Sequence, residues 1–218
     1  MRGVVDEVAN MLDLSLYLMF LAASVALILV PGPAQALVVA KTLAGGRQPG
    51  ALAAVGLNIG TLFHTATAAF GLSAVLATSA LAFSVVKYAG AAYLIYLGIR
   101  AVRSKVPQAL SSAGPGGSAR STLGQAIATG ILNPKVALFF LAFLPQFVDP
   151  SRGAVLVQFL ILGCSMALLD VLYELALVHL VSGMRERYLR SPRLVAWQTR
   201  VSGGVLVALG LRLAAQER

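Results

Sequence analysis

The sequence predicts an all-α polytopic membrane protein, with six transmembrane helices in two inverted-topology three-helix repeats and with helices 1 and 4 broken at proline. Three observations carry this prediction. Of 218 residues, 58% are hydrophobic and 11% charged, at a mean hydropathy of +0.84, whereas soluble domains are roughly 45 to 50% apolar. The apolar residues gather into six runs, and a run of about 20 crosses a hydrocarbon core of about 30 Å. Two of the runs, the first and the fourth, are interrupted by proline, as Pro31-Gly32-Pro33 and Asn133-Pro134.

The N-terminal stretch MRGVVDEVANMLD holds one arginine and three acids. The apolar run behind it exceeds the about 7 to 15 residues of a signal-peptide core, so the first span is expected to be retained. That span covers residues 14–41 and contains VPGPAQALV. A proline inside a helix removes a backbone donor and clashes with the carbonyl one turn back, so two prolines around a glycine must break it. Lipid cannot satisfy the freed backbone groups, and a break at this depth survives only against protein or a water-filled cavity. Transporters commonly hold substrate at such breaks.

The second span, residues 51–78, carries Gly56, Gly60, His64, Thr67 and Gly71 on one stripe at helical spacing. Small residues let helices approach closely, so the stripe is expected to face protein and turn His64 inward. There His64 is either satisfied structurally or a proton carrier, a task its unperturbed pKa suits. The same glycines could instead join two copies as a homodimer. Asn58 is placed to bond substrate or a neighbouring helix. A third span at 81–99 is followed by SKVPQALSSAGPGGSARST, residues 104–122, a Ser, Gly and Pro-rich stretch that reads as a flexible cytoplasmic linker.

The linker divides the chain into a first three-helix repeat, 1–103, and a second, 123–218. Pro33-x-x-Ala36-Leu37 recurs as Pro134-x-x-Ala137-Leu138, and Leu97-Gly98-x-Arg100 recurs as Leu209-Gly210-x-Arg212. With three spans per copy, the second copy enters the membrane from the opposite side. In the fourth span, 123–147, the break places Asn133 at a helix cap and Pro134 at the first helical position, as Gly32 and Pro33 stand in the first span. Two half-helices then begin near mid-membrane, and their free amides suit a carboxylate. Lys135 follows the second break, where the helix dipole disfavours a cation, and a substrate carboxylate or Asp170 would account for it.

On the fifth span, 154–181, Asp170 and Glu174 are four residues apart and share a face with Gly163 and Ala167. Acids at membrane depth are functional candidates, and two adjacent ones disfavour double ionisation, so that one can carry a proton. Structural pairing with Lys135 or His64 is the other use open to them. The sixth span, 194–211, has a clean apolar part of only Val201 to Leu211 and must reach back through Trp197.

Charge then orients the chain. Eleven of the seventeen Lys and Arg residues lie on one side, from Lys41 and Arg47 through Arg100 to Arg120 and Arg185 to Arg200, and four lie on the other. The richer side is cytoplasmic, so both termini are expected outside. The net charge of +9 therefore reports orientation in the bilayer and not a nucleic-acid partner. A single cysteine, Cys164, leaves no thiol pair for redox chemistry or a soft metal, and neither a cofactor nor an enzyme activity is expected.

Four stretches carry a resemblance to a known family: residues 30–38 (VPGPAQALV), 57–76 (LNIGTLFHTATAAFGLSAVL), 87–104 (KYAGAAYLIYLGIRAVRS) and 130–150 (GILNPKVALFFLAFLPQFVDP). The chain resembles the LysE/RhtB amino-acid exporters over nearly its whole length, least after about residue 185. The resemblance implies six membrane helices in a bacterial inner membrane and outward transport of amino acids or close derivatives, driven by protons. Members often carry an acid or amide shortly after Pro-Gly-Pro, where Ala34 and Gln35 stand here. On this reading Gly32, Pro33, Ala34, Gln35, Asn58, Asn133, Pro134 and Lys135 contact substrate, while Asp170, Glu174 and His64 couple protons. The competing readings are an exporter of metal or other small ions and a non-transporting membrane subunit.

Overall fold

The structure, a computed structural model, describes residues 13–72, 80–103 and 118–183 and ten positions between 200 and 215. Helix α1 (Leu14–Leu29) starts where Asp13 accepts from the amides of Ser15 and Leu16 at 2.8 and 3.2 Å. Those bonds, with the Ser15 hydroxyl contributing most, hold the Asp13 carboxyl below its usual value, and Arg152 pairs with it at 3.4 Å. The helix stops at Val30, which is extended as a residue before proline must be. Gly32 then caps α2 (Pro33–Gly45), with Pro33 at the first helical position, and the chain bends by 56° between the two helices.

Gly46, at a φ of 84°, turns the chain into α3 (Arg47–Thr67), a left-handed conformation that favours glycine. A π-helical turn, Ala68–Leu72, continues α3. Helix α4 is Ala80–Arg103. Helix α5 (Ala119–Ile131) begins inside the stretch read as linker, because the Ser118 hydroxyl caps it by accepting from Ser121 N at 3.2 Å. Residues 104–117 lie outside the described residues. Asn133 caps α6 (Pro134–Ala142), bent by 41° from α5, and two short 3-10 turns lead to α7 (Val155–Gly183).

Every regular element among the described residues is helical. Residues Arg47–Gly71 and Val155–Gly183 are each long and apolar enough to cross a membrane, and the two bent pairs make up to two more such spans. Both pairs break at the prolines that the sequence singles out. Most of the sixth span, 194–211, lies outside the described residues. Its described positions pack on α4: a Cβ on Gly98 would lie 2.5 Å from Gly203 O, and one on Gly210 would lie 2.9 Å from Ala91 O. The two glycines of the recurring Leu-Gly-x-Arg motif therefore sit in one helix contact.

Two packing zones frame the middle of the molecule. In one, Phe20, Phe139, Phe140, Phe143, Phe147 and Phe159 are buried together between α1, α6 and α7. The rings of the first five meet edge-on or tilted at 4.9 to 6.5 Å, arrangements favoured by the ring quadrupole. In the other, small residues let α3 and α5 touch. A Cβ on Gly60 would stand 2.5 Å from the Gly130 carbonyl carbon, and one on Gly56 would stand 2.6 Å from Ala126 Cβ. In lipid the hydrophobic effect does little to bring helices together, so this close van der Waals fit holds the pair. Gly56 and Gly60 are thus packed within one protomer, while Gly71, further along the stripe, has nothing within 4 Å.

Candidate transport site

Both breaks free backbone groups, and side chains from other parts of the chain take them up. The last carbonyls of a helix have no partner inside it. At the end of α1, Lys135 Nζ donates to Val30 O at 2.9 Å and to Leu27 O at 3.1 Å, the latter also accepting from Val30 N at 3.1 Å. Gln35 Nε2 donates to Ile28 O at 2.9 Å and to Tyr173 Oη at 2.8 Å, which spends both of its amide hydrogens. At the end of α5, His64 Nε2 adds a bond at 3.3 Å to Gly130 O, which also accepts from Asn133 N at 3.2 Å, with the His64 ring against Phe63 and Phe140.

The two half-helix N-termini differ. In α6, Asn133 Oδ1 accepts from Lys135 N at 3.1 Å, so one of the free amides is capped from within. In α2 no side chain caps the end, and Ala34 and Gln35 keep amides without an intrahelical partner.

These groups meet at a cavity of about 20 Å³, room for about one water. Ala34 and Gln35 line it from α2, Asn133 and Lys135 from the second break, and Asp170 and Glu174 from α7. The rest of its wall is mostly apolar, from Leu27, Ile28, Leu57, Val136 and Met166. Asp170 accepts from the Thr61 hydroxyl at 3.3 Å. Glu174 is only 2% exposed, and its Oε2 has no hydrogen-bond partner. Lys135 interacts electrostatically with both acids, yet no ion pair between them closes within 4.0 Å. A cation already engaged with carbonyls thus faces two acids, with a small space among them.

Of the residues singled out in the sequence, Ala34, Gln35, Asn133, Lys135, Asp170 and Glu174 come together at this cavity. Gly32 lies beside it, since a Cβ there would be 3.8 Å from Lys135 Nζ. Pro33 and Pro134 start the two half-helices. Asn58 and His64 do not line the cavity: Asn58 Nδ2 donates to Ala167 O at 2.8 Å, tying α3 to α7, and His64 serves the end of α5. Thr61 and Tyr173, which bond Asp170 and Gln35, escape a reading of the sequence. Thr61 stands three residues before His64 but off the glycine stripe, and one of three threonines in this helix carries no signal of its partner.

Comparison with known proteins bears on what this site belongs to. The model of the LysE type translocator family matches residues 25–217. An uncharacterized membrane protein of Vibrio cholerae is 32% identical over 203 residues, covering 93% of this chain and 98% of the relative. A leucine efflux protein of Klebsiella pneumoniae is 32% identical over 203 residues, 91% of this chain and 94% of its own. One of Enterobacter sp. is 30% identical over 191 residues, 87% and 89% of the two chains. No solved structure matches. A match this long, over a chain whose helices break around a cavity holding a lysine and two acids, makes it a transporter and not an enzyme: the chain belongs to the LysE type translocator family.

Proposed function

We propose that this protein exports amino acids or close derivatives across a bacterial inner membrane by proton antiport, with its two three-helix repeats inverted in the membrane and both termini outside. The substrate carboxylate binds at the uncapped α2 N-terminus, at the amides of Ala34 and Gln35, next to the Lys135 ammonium. The substrate ammonium binds Asp170 and Glu174, and the proton takes the same carboxylates in the other half of the cycle. Competition for one site is enough to couple the two fluxes, because each must leave before the other binds. Alternating access arises from one repeat rocking against the other.

The observation that carries this reading is Glu174, an acid buried at 2% exposure with an unpartnered oxygen, lining the same cavity as a half-helix N-terminus. A buried carboxylate without partners is costly unless it exchanges a proton or meets a cation. The family and the two relatives named as leucine efflux proteins support an amino-acid substrate. So do the apolar groups around the acids, which suit an aliphatic side chain. The cavity of about 20 Å³ admits no amino acid as it stands, so binding requires the site to open.

The test is efflux from cells loaded with a panel of labelled amino acids, comparing wild type with Asp170→Asn, with and without an uncoupler. Uncoupler-sensitive loss of particular amino acids in wild type only is expected. An Asp170→Asn protein with unchanged coupling would remove Asp170 from the mechanism, and a wild type that releases no amino acid would remove the substrate class.

A further inference from the structure

The cation at the first break has a use that substrate binding does not exhaust. Lys135 begins α6, in the second half of the chain, yet its ammonium is seated on the carbonyls of Leu27 and Val30 in the first half, at 3.1 and 2.9 Å. Those carbonyls belong to the C-terminal end of α1, which carries about half a negative charge. The acids Asp170 and Glu174 line the same cavity from α7. Unwound helix segments of transporters use carbonyls of this kind to hold a sodium ion or a proton. The ammonium has three donors and spends two here.

We propose that the carbonyls of Leu27 and Val30, facing Asp170 and Glu174, form a cation cup whose resident ion is the tethered Lys135 ammonium, in the place where a sodium-coupled carrier binds a free alkali ion. The tether joins the second half of the chain to the break in the first. The cup stays filled throughout the cycle, and transport needs no external sodium. Without the lysine the cup becomes a site for a small free cation. Gly32 fits this use: even a Cβ there would stand 3.8 Å from Nζ, an ordinary contact distance, so the ammonium is seated without crowding. So does Gln35, which serves the intervening carbonyl of Ile28 and leaves the other two to the ammonium.

The experiment uses the full chain, purified in detergent and reconstituted in vesicles, with sodium, methylammonium or choline as the principal cation. Wild type should show the same thermal stability in all three and the same export in sodium and in choline. Lys135→Ala should lose stability and at least about tenfold in export in choline, as expected when the Val30 carbonyl loses its donor and the Leu27 carbonyl keeps only the Val30 amide. It should regain both in methylammonium or sodium, ions small enough to enter the cup. Lys135→Met keeps the stem but not the charge, and it should remain impaired in every cation. Sodium-dependent export by wild type, a Lys135→Met protein equal to wild type, or a Lys135→Ala protein that no small cation restores would each overturn the proposal. The proposal rests on the transport reading only for its export arm. The stability arm needs no transported solute and reads the cup even if amino acids prove to be the wrong cargo.

Discussion

Glu174 buries a carboxylate whose Oε2 has no partner, and holding an ion there lowers the stability of the fold by several kcal/mol unless it is neutralised. Glutamine has the same shape and carries no charge. Glu174→Gln is therefore expected to leave the thermal unfolding midpoint unchanged or raise it, while export is lost. A midpoint lowered by an amount equivalent to about 2 kcal/mol or more would instead make Glu174 part of the structural framework. The pair itself is visible in the sequence, since acids four apart in an apolar helix share a face whatever surrounds them. What Lys135 does is not visible. From the sequence it is a cation at the wrong end of a helix, in want of a carboxylate, and in the structure its partners are backbone carbonyls from a helix more than 100 residues away. Backbone groups carry no sequence signature, so no pattern of side chains could have named them.

Among the described elements, α3 and α5 share the most extensive contact, and two glycines with different surroundings separate packing from propensity. A Cβ on Gly60 would run into the Gly130 backbone at 2.5 to 2.6 Å, which a rotamer change cannot relieve. Gly124, also on α5, has nothing within 4 Å of the same position. Gly60→Ala is expected to cost about 1 to 3 kcal/mol by overpacking, and Gly124→Ala to gain about 0.5 to 1 kcal/mol through helix propensity. Unfolding in detergent measures both, and equal effects would show that the contact does not bear on stability. The helical spacing of Gly56, Gly60 and His64 announces a close neighbour. Which helix that is, and that His64 completes the end of α5, follows only from how the broken fourth span folds back.

Across the whole molecule, α3 from the first half packs against α7 from the second, directly beside the acids. A Cβ on Gly163 would come within 2.9 Å of Thr65 Cβ, closer than the about 3.5 to 4.5 Å that a disulfide spans, so a bond there forms once the two helices part by several tenths of an ångström. If the halves rock against each other, a bond placed there must stop them. A Thr65→Cys and Gly163→Cys pair in a Cys164→Ser background is expected to arrest export when oxidised and to release it on reduction. Export that continues with the disulfide formed would mean that this contact stays rigid and that the site opens elsewhere.

The sequence by itself determined the solvent, the helical class and the positions of both breaks, because these depend on local quantities: the length of apolar runs, the missing amide of proline and the four-residue spacing of two acids. It also named six of the side chains that line the cavity. Only the tertiary structure decided how the freed backbone groups are satisfied, which half-helix end stays open, and that Asn58 and His64 turn to packing. Each of these is a contact between segments far apart in the chain, set by how helices pack, and packing is a property of the assembled set of helices that no single stretch contains.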